Sequence, residues 1–239
     1  MLVLNTNQSS YVLQKLPQFE LSYETISHKK VSSVYDVCIA IPTGKKVLIW
    51  FTFHQKYNAC YVLELNRDKK IIKVTHSDIK SNLNLSLGTL VYATCVTDEV
   101  SGKEKYIIDD ILFIKGVNLN KMSGLNKLAS IRNMFTMFET NTPIYSPFLW
   151  NIQLDKVDEY PNTIDDTISS QIHYPIHHLQ YRSSIEVMPY VNIYLSKKLN
   201  LVSLPSTQKS VSLIETEFDI KPYKMTMNKP QYRMTTVFE

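Results

Sequence analysis

Short apolar runs separated by polar turns dominate the chain, a texture that predicts strands more than helices. Runs over residues 34–41, 47–53, 59–65 and 70–75 are divided by Pro42-Thr43-Gly44-Lys45-Lys46, by a polar stretch over 54–58 and by Asn66-Arg67-Asp68-Lys69. The spacing predicts a meander of adjacent antiparallel strands. Further strands are expected over 88–97, 148–152, 176–182, 185–194 and 211–218, with 19–26 as a first strand or a connector. Residues 76–85, 155–166 and 203–210 read as loops or connectors, and 1–17 as a peripheral lead-in. The run over 231–239 looks like a strand that stops without a turn, which suggests a segment cut from something longer.

The run over 105–116 stands apart. Asp109 and Asp110 sit in its middle, flanked on both sides by Ile, Leu, Tyr and Phe, and Gly116 ends it. Burying a carboxylate is costly unless something satisfies it. Either these acids have dedicated partners or they lie on an exposed strand face beside a turn. The one strong helical pattern follows over 121–139, where Leu125, Leu128, Ile131, Met134, Phe135 and Phe138 form a stripe at three-and-four spacing. The class expected is α+β, with mostly antiparallel sheets and a helix packed on them.

Composition narrows this little. With 239 residues and 44% hydrophobic content the chain can build a core, and 1–239 is read as a single domain. A net charge of +4 permits contact with nucleic acid without requiring it. Cys38, Cys60 and Cys95 are odd in number and embedded in apolar runs, which suits reduced core residues of an intracellular protein. No secretory leader is visible, and no apolar run approaches the roughly 20 residues of a membrane span, so no membrane partner is expected. The five glycines are too few for a glycine-rich phosphate loop.

Candidate chemistry is sparse. His173 and His177 have helical metal-ligand spacing, but Pro175 lies between them and no cysteine is near, so no metal or other cofactor is expected. Tyr181-Arg182 suits base stacking with a phosphate contact, or a strand end with an extended arginine. Trp50 alternates with Phe51 and Phe53, so one face of that strand belongs to the core and the other either carries a stacking platform or is buried too.

In order and spacing, three segments resemble the nucleotidyltransferase core of mRNA capping enzymes and ATP-dependent polynucleotide ligases. They are Ile41-Pro42-Thr43-Gly44-Lys45-Lys46, against a lysine motif K-x-D-G-x-R; Gly88 to Thr94, against a strand ending in D-G-E; and Tyr106 through Asp110-Ile111-Leu112 to Gly116, against an aromatic strand F-x-x-x-D-I-L-x-x-x-G. The resemblance spans about residues 34–138. The chain is also similar to uncharacterised proteins of large nucleocytoplasmic DNA viruses through 41–53, the Asp109-Asp110 strand and 178–182.

The resemblance implies a nucleotide-sized cleft, with Lys46 in the slot of an arginine that contacts phosphate or ribose. It also shows two losses. The nucleophilic lysine, whose amine attacks the α-phosphorus, is replaced by Ile41, and the metal-binding carboxylate is replaced by Thr94. A later E-G-x-x-x-K motif is not found. Lys45 is the alternative nucleophile, on the far side of the turn. The snurportin cap-binding domain is a precedent for such a core that binds a cap without catalysis.

The implied function is a non-catalytic viral protein of the host cytoplasm, virus factory or virion that binds RNA or an RNA cap. Lys45, Lys46 and Lys115 would contact phosphates, with Trp50, Tyr181 and Arg182 completing the site. The alternatives are a virion-structural or interaction module with a viral protein partner, and an active guanylyltransferase or ligase-like enzyme.

Overall fold

Among the described residues the strands form two mostly antiparallel sheets, and the strand order within them departs from a simple meander. The computed structural model describes residues 1–24, 35–80, 82–98, 101–138, 141–152, 160–187 and 189–195, all within one compact unit, Met1–Leu201. The strands expected over 211–218 and 231–239, and the connector over 203–210, lie outside the described residues.

In chain order the elements are β1 (Leu2–Val3), α1 (Thr6–Lys15), β2 (Val37–Pro42), β3 (Lys45–His54), β4 (Tyr57–Leu65), β5 (Ile71–Ser77), α2 (Leu83–Ser86), β6 (Thr89–Thr97), β7 (Glu104–Ile114), β8 (Val117–Asn118), α3 (Gly124–Phe135), β9 (Ile144–Tyr145), β10 (Leu149–Asn151), α4 (Asp166–Ser169), β11 (Ile176–Arg182) and β12 (Tyr190–Ile193). The larger sheet runs β1-β5-β4-β3-β6-β7-β8, with β9 parallel to β7, and the smaller runs β10-β2-β11-β12. The class is α+β, with mostly antiparallel sheets and few helices.

The expected pairing of 34–41 with 47–53 does not occur. β2 belongs to the smaller sheet and β3 to the larger, so the two-residue turn at Thr43-Gly44 crosses from one sheet to the other. Glycine is required there by close approach: a Cβ on Gly44 would overlap the Cys95 carbonyl oxygen of β6. The crossing is therefore pressed against the strand that pairs with β3.

Both faces of the larger sheet are covered. Phe51, Val91, Ile108 and Ile111 pack with Ile131 and Met134 of α3 on one face. On the other, Leu48, Trp50, Tyr61 and Leu90 pack with Val12 of α1, and Leu13 and Leu16 lie against them. The lead-in expected over 1–17 is thus a covering helix. Its start is fixed by a capping box, in which the Asn5 side chain accepts from the Gln8 backbone and the Gln8 side chain accepts from the Asn5 backbone. In the smaller sheet, Val37, Ile39 and Ile41 of β2 face Leu128 of α3. Cys38 and Ala40, on the opposite face, join Leu179 and Tyr181 of β11 with Val96 and Ile107 from the larger sheet. Helix α3 therefore bridges both sheets.

Gly44→Ala is expected to destabilise the protein by about 1–3 kcal/mol through overpacking at the crossing. Urea unfolding measures it, and an unchanged midpoint would show that the crossing can relax.

Candidate functional site

The paired acids of β7 are buried, and each has its own partners. In the ladder with β6, Tyr92 lies opposite Asp110 and Ala93 opposite Ile108, leaving Asp109 as an extra residue in a bulge. The bulge resets the alternation of the strand. Ile108 and Ile111 consequently enter the same apolar cluster although they are three residues apart. Asp109 and Asp110 are 3% and 2% exposed, so the reading of an exposed acidic face does not hold.

Asp110 is paired with Lys127 of α3, whose Nζ donates to Oδ2 at 2.8 Å, to Oδ1 at 3.1 Å and to Ser22 Oγ at 3.3 Å. Lys127 is itself buried. It occupies a core position on the helix stripe, four residues before Ile131. That position was the available sequence signal: a lysine on an apolar helix face implies a buried anion nearby. Asp109 accepts from Lys46 Nζ at 2.9 Å and from Thr94 Oγ1 at 2.7 Å, and Lys46 Nζ also donates to Thr94 Oγ1 at 2.8 Å. Arg182 donates from Nη2 to the Asp109 carbonyl oxygen at 2.8 Å and from Nε to Gln180 Oε1 at 2.7 Å, with its guanidinium 3.7 Å from the centre of the Tyr23 ring.

The segment Leu21-Ser22-Tyr23-Glu24 forms no strand, yet it lines this polar seam. Ser22 meets Lys127, and the Tyr23 carbonyl accepts from Gln180 Nε2 at 3.2 Å. Glu24 accepts from Lys69 Nζ at 2.8 Å and lies 3.7 Å from Lys46 Nζ. Burial of Glu24 pushes its carboxyl upward, but Lys46 and Lys69 outweigh that and hold it below the usual range. Burial pushes the Tyr23 hydroxyl up to about 12. Three lysines, Lys46, Lys69 and Lys127, thus face three carboxylates, Glu24, Asp109 and Asp110, while Arg182 is bonded to the Asp109 backbone carbonyl.

His178 lies beside the seam. Burial first, then His177, Lys46 and Arg182, depress its pKa to about 4, against an opposing pull from Glu24. His177 Nδ1 and His178 Nδ1 are 2.8 Å apart, so one must carry the proton that the other accepts.

The residues expected to bind are dispersed. Lys46 lies in the seam. Lys45, next along β3, is exposed and faces Glu64 at 3.6 Å. Lys115 is exposed in the β7–β8 turn beside Thr89, five residues along β6 from Thr94, or about 17 Å at the usual rise of a strand.

Trp50 and Tyr181 are 5% and 1% exposed, which corrects their reading as stacking platforms. Helix α1 contributes to the cluster around Trp50, and Tyr181 is locked by a hydrogen bond from its hydroxyl to the Pro161 carbonyl at 2.7 Å. Arg182 is also buried, bonded within the seam rather than at the surface. Glu24, Lys69 and Lys127 are the charged seam residues that sequence reasoning missed. The turn expected at 66–69 did place Lys69 at a strand end, but nothing in the pattern pointed it inward.

Ile41 is 2% exposed among apolar side chains, and Thr94 is fully buried. Among the described residues no group of three or more His, Cys, Asp or Glu is arranged to hold a metal ion. Among them, too, no helix is long and apolar enough to cross a membrane. No protein-family model matches the chain, and no curated protein matches it.

The depressed His178 pKa fixes a sign. Unfolded His178 takes up a proton near its ordinary 6.5, whereas the folded ring resists until about 4, so its contribution to stability is complete above 6.5 and is lost as pH falls toward 4. His178→Gln should remove that dependence. Urea unfolding from pH 7 to pH 4 should show wild type losing about 3 kcal/mol more than the variant. Parallel curves would contradict the placement of a neutral imidazole there.

Proposed function

We propose that this chain is a non-catalytic phosphate-binding module of capping-enzyme type, of the kind carried by large DNA viruses, and that it binds RNA or an RNA cap. One observation carries the reading: Lys46 and Lys69 converge at the seam with side chains 19% and 25% exposed, close enough to solvent to meet an external phosphate. Lysines so placed give affinity through charge, at a fixed distance from a rigid sheet.

Three features support the family resemblance. The Gly44 turn connects strands of two different sheets, β6 and β7 are neighbours, and a helix packs on them after the β7 turn. Two features support the absence of chemistry. Ile41, in the slot of the nucleophile, presents hydrocarbon among Val37, Ile39 and Leu128. Thr94, in the slot of the metal carboxylate, is bonded to Lys46 and Asp109. Lys46 then serves as a phosphate contact, with Arg182 fixing the carboxylate strand behind it.

A second reading, an interaction module that reuses the scaffold, is favoured by the β1–β5 edge, where Leu2, Val3 and Ile72 are 62%, 57% and 60% exposed. Exposed apolar side chains on a sheet edge invite a partner strand.

Titration of capped and uncapped RNA oligonucleotides at low salt, read by fluorescence anisotropy, should show binding that weakens as salt rises. Lys46→Met should weaken it about tenfold, or about 1.4 kcal/mol. The same protein incubated with labelled GTP or ATP and a divalent metal should give no covalent band on denaturing electrophoresis. Absence of RNA binding at low salt would sink the reading, and a labelled band would make the chain an enzyme.

A further inference from the structure

Glu24 is held differently from the other two acids of the seam. Asp109 and Asp110 are fixed by strand β7, whereas Glu24 belongs to no strand or helix, and its backbone amide donates to the Leu21 carbonyl at 3.2 Å. Its carboxylate is held by groups from three separate places. Lys69 Nζ, from the β4–β5 turn, donates to Oε2 at 2.8 Å. Lys46 Nζ of β3 lies 3.7 Å from Oε1. The Tyr92 hydroxyl of β6 accepts from Lys69 at 3.1 Å and also hydrogen-bonds Glu24.

Lys69 reaches inward from a backbone φ of +61°, a conformation that few residues other than glycine adopt. The two ammonium groups stand 5.4 and 5.7 Å from the centre of the Tyr92 ring. Two ammonium groups and a hydroxyl, converging from three elements around one carboxylate, make a seat that suits an oxyanion.

Two further observations concern access and unmet demand. The Glu24 side chain is 21% exposed, like the lysines around it, so the seat opens to solvent. The Nε2 of His178 is buried with no hydrogen-bond partner among the described residues, and that ring lies within the fields of Lys46, Glu24 and Arg182.

We propose that Glu24 is a removable internal anion, and that a terminal phosphate of a nucleotide or RNA end binds Lys46, Lys69 and the Tyr92 hydroxyl by displacing it. This gating presupposes the phosphate-binding reading above and adds Lys69 and a means of control to it. The exchange is favoured by charge: a phosphate monoester brings about −1.5 to −2 at pH 7, where Glu24 brings −1, and it offers more acceptor oxygens. Asp109 cannot be the group displaced, because it is 3% exposed and bonded to Thr94 as well as Lys46.

Calorimetric titration of inorganic pyrophosphate at low salt tests the gate. Glu24→Gln should bind at least tenfold tighter than wild type, and adding Lys69→Met to it should reverse that gain. In the wild-type background Lys69→Met alone should weaken pyrophosphate several-fold, a readout that does not depend on the stability of the Glu24 variant. GTP should gain from Glu24→Gln as pyrophosphate does, whereas an RNA oligonucleotide with a 5′-hydroxyl should gain little. An equal gain for that oligonucleotide would overturn the assignment to a terminal phosphate. If Glu24→Gln, folded by circular dichroism, binds pyrophosphate no tighter while wild type still binds RNA, the gate is wrong and the phosphate-binding reading stands. If wild type and variants bind neither pyrophosphate, GTP nor RNA, both fail.

Discussion

The Asp110–Lys127 ion pair is the constraint around which the rest is arranged. Both partners are only 3% exposed in their side chains, with a closest approach of 2.8 Å. Removing two charges from water costs several kcal/mol per ion, recovered only by good geometry and by further hydrogen bonds. Here Ser22 supplies one of them, and the Ile111 backbone amide donates to Asp110 Oδ1 at 2.9 Å. The pair ties the middle of β7 to the first turns of α3. That helix also packs against β2, so the pair helps set how the two sheets meet. The start of α3 is pinned as well: the Leu125 amide donates to the Ser184 carbonyl at 2.8 Å, and a Cβ on Gly124 would overlap the Ser183 carbonyl oxygen at the end of β11.

The same bulge that satisfies Asp110 presents Asp109 to a second set of partners. Without the extra residue, strict alternation would send neighbouring side chains to opposite faces, and one carboxylate would enter the apolar layer with Ile108 and Ile111. With it, Asp110 serves the helix and Asp109 serves Lys46, Thr94 and, through its carbonyl, Arg182. Structural and candidate binding groups therefore share one strand. The candidate site inherits its rigidity from the ion pair behind it, while Glu24 enters from outside the strands and helices.

Much of the larger sheet was legible because its strands are short, apolar and bounded by glycine, proline or polar turns. The runs over 47–53 and 59–65 fall within β3 and β4 of that sheet, the run over 176–182 coincides with β11 of the smaller one, and the stripe from Leu125 to Phe138 contains most of α3. Two features of the fold were not legible. A turn as tight as Thr43-Gly44 ordinarily joins neighbours, and only the pressure of Cys95 against Gly44, a contact distant in sequence, reveals that it joins two sheets. Helix α1 was obscured because Thr6–Lys15 is polar on most positions and buries only Val12, so its apolar signal is weak. Once α1 covers Trp50, the platform expected there disappears. In the site, Asp109, Asp110 and Lys46 stood out from local sequence, because acids in a hydrophobic strand and lysines beside a turn contradict their surroundings. Glu24 and Lys69 did not, since each becomes meaningful only through a partner brought by the fold, and the one signal at Lys127, a lysine on an apolar helix stripe, was passed over.

A double-mutant cycle on Asp110 and Lys127, measured by urea unfolding, tests most directly whether the buried pair organises the molecule. Lys127→Met alone, or Asp110→Asn alone, should cost about 3–5 kcal/mol, because each leaves the other partner without its match in the interior. The double variant, with no charge at either position, should cost far less than the sum of the two. Strictly additive losses, or single variants as stable as wild type, would show that the two charges do not depend on each other and that the sheets are set by packing alone.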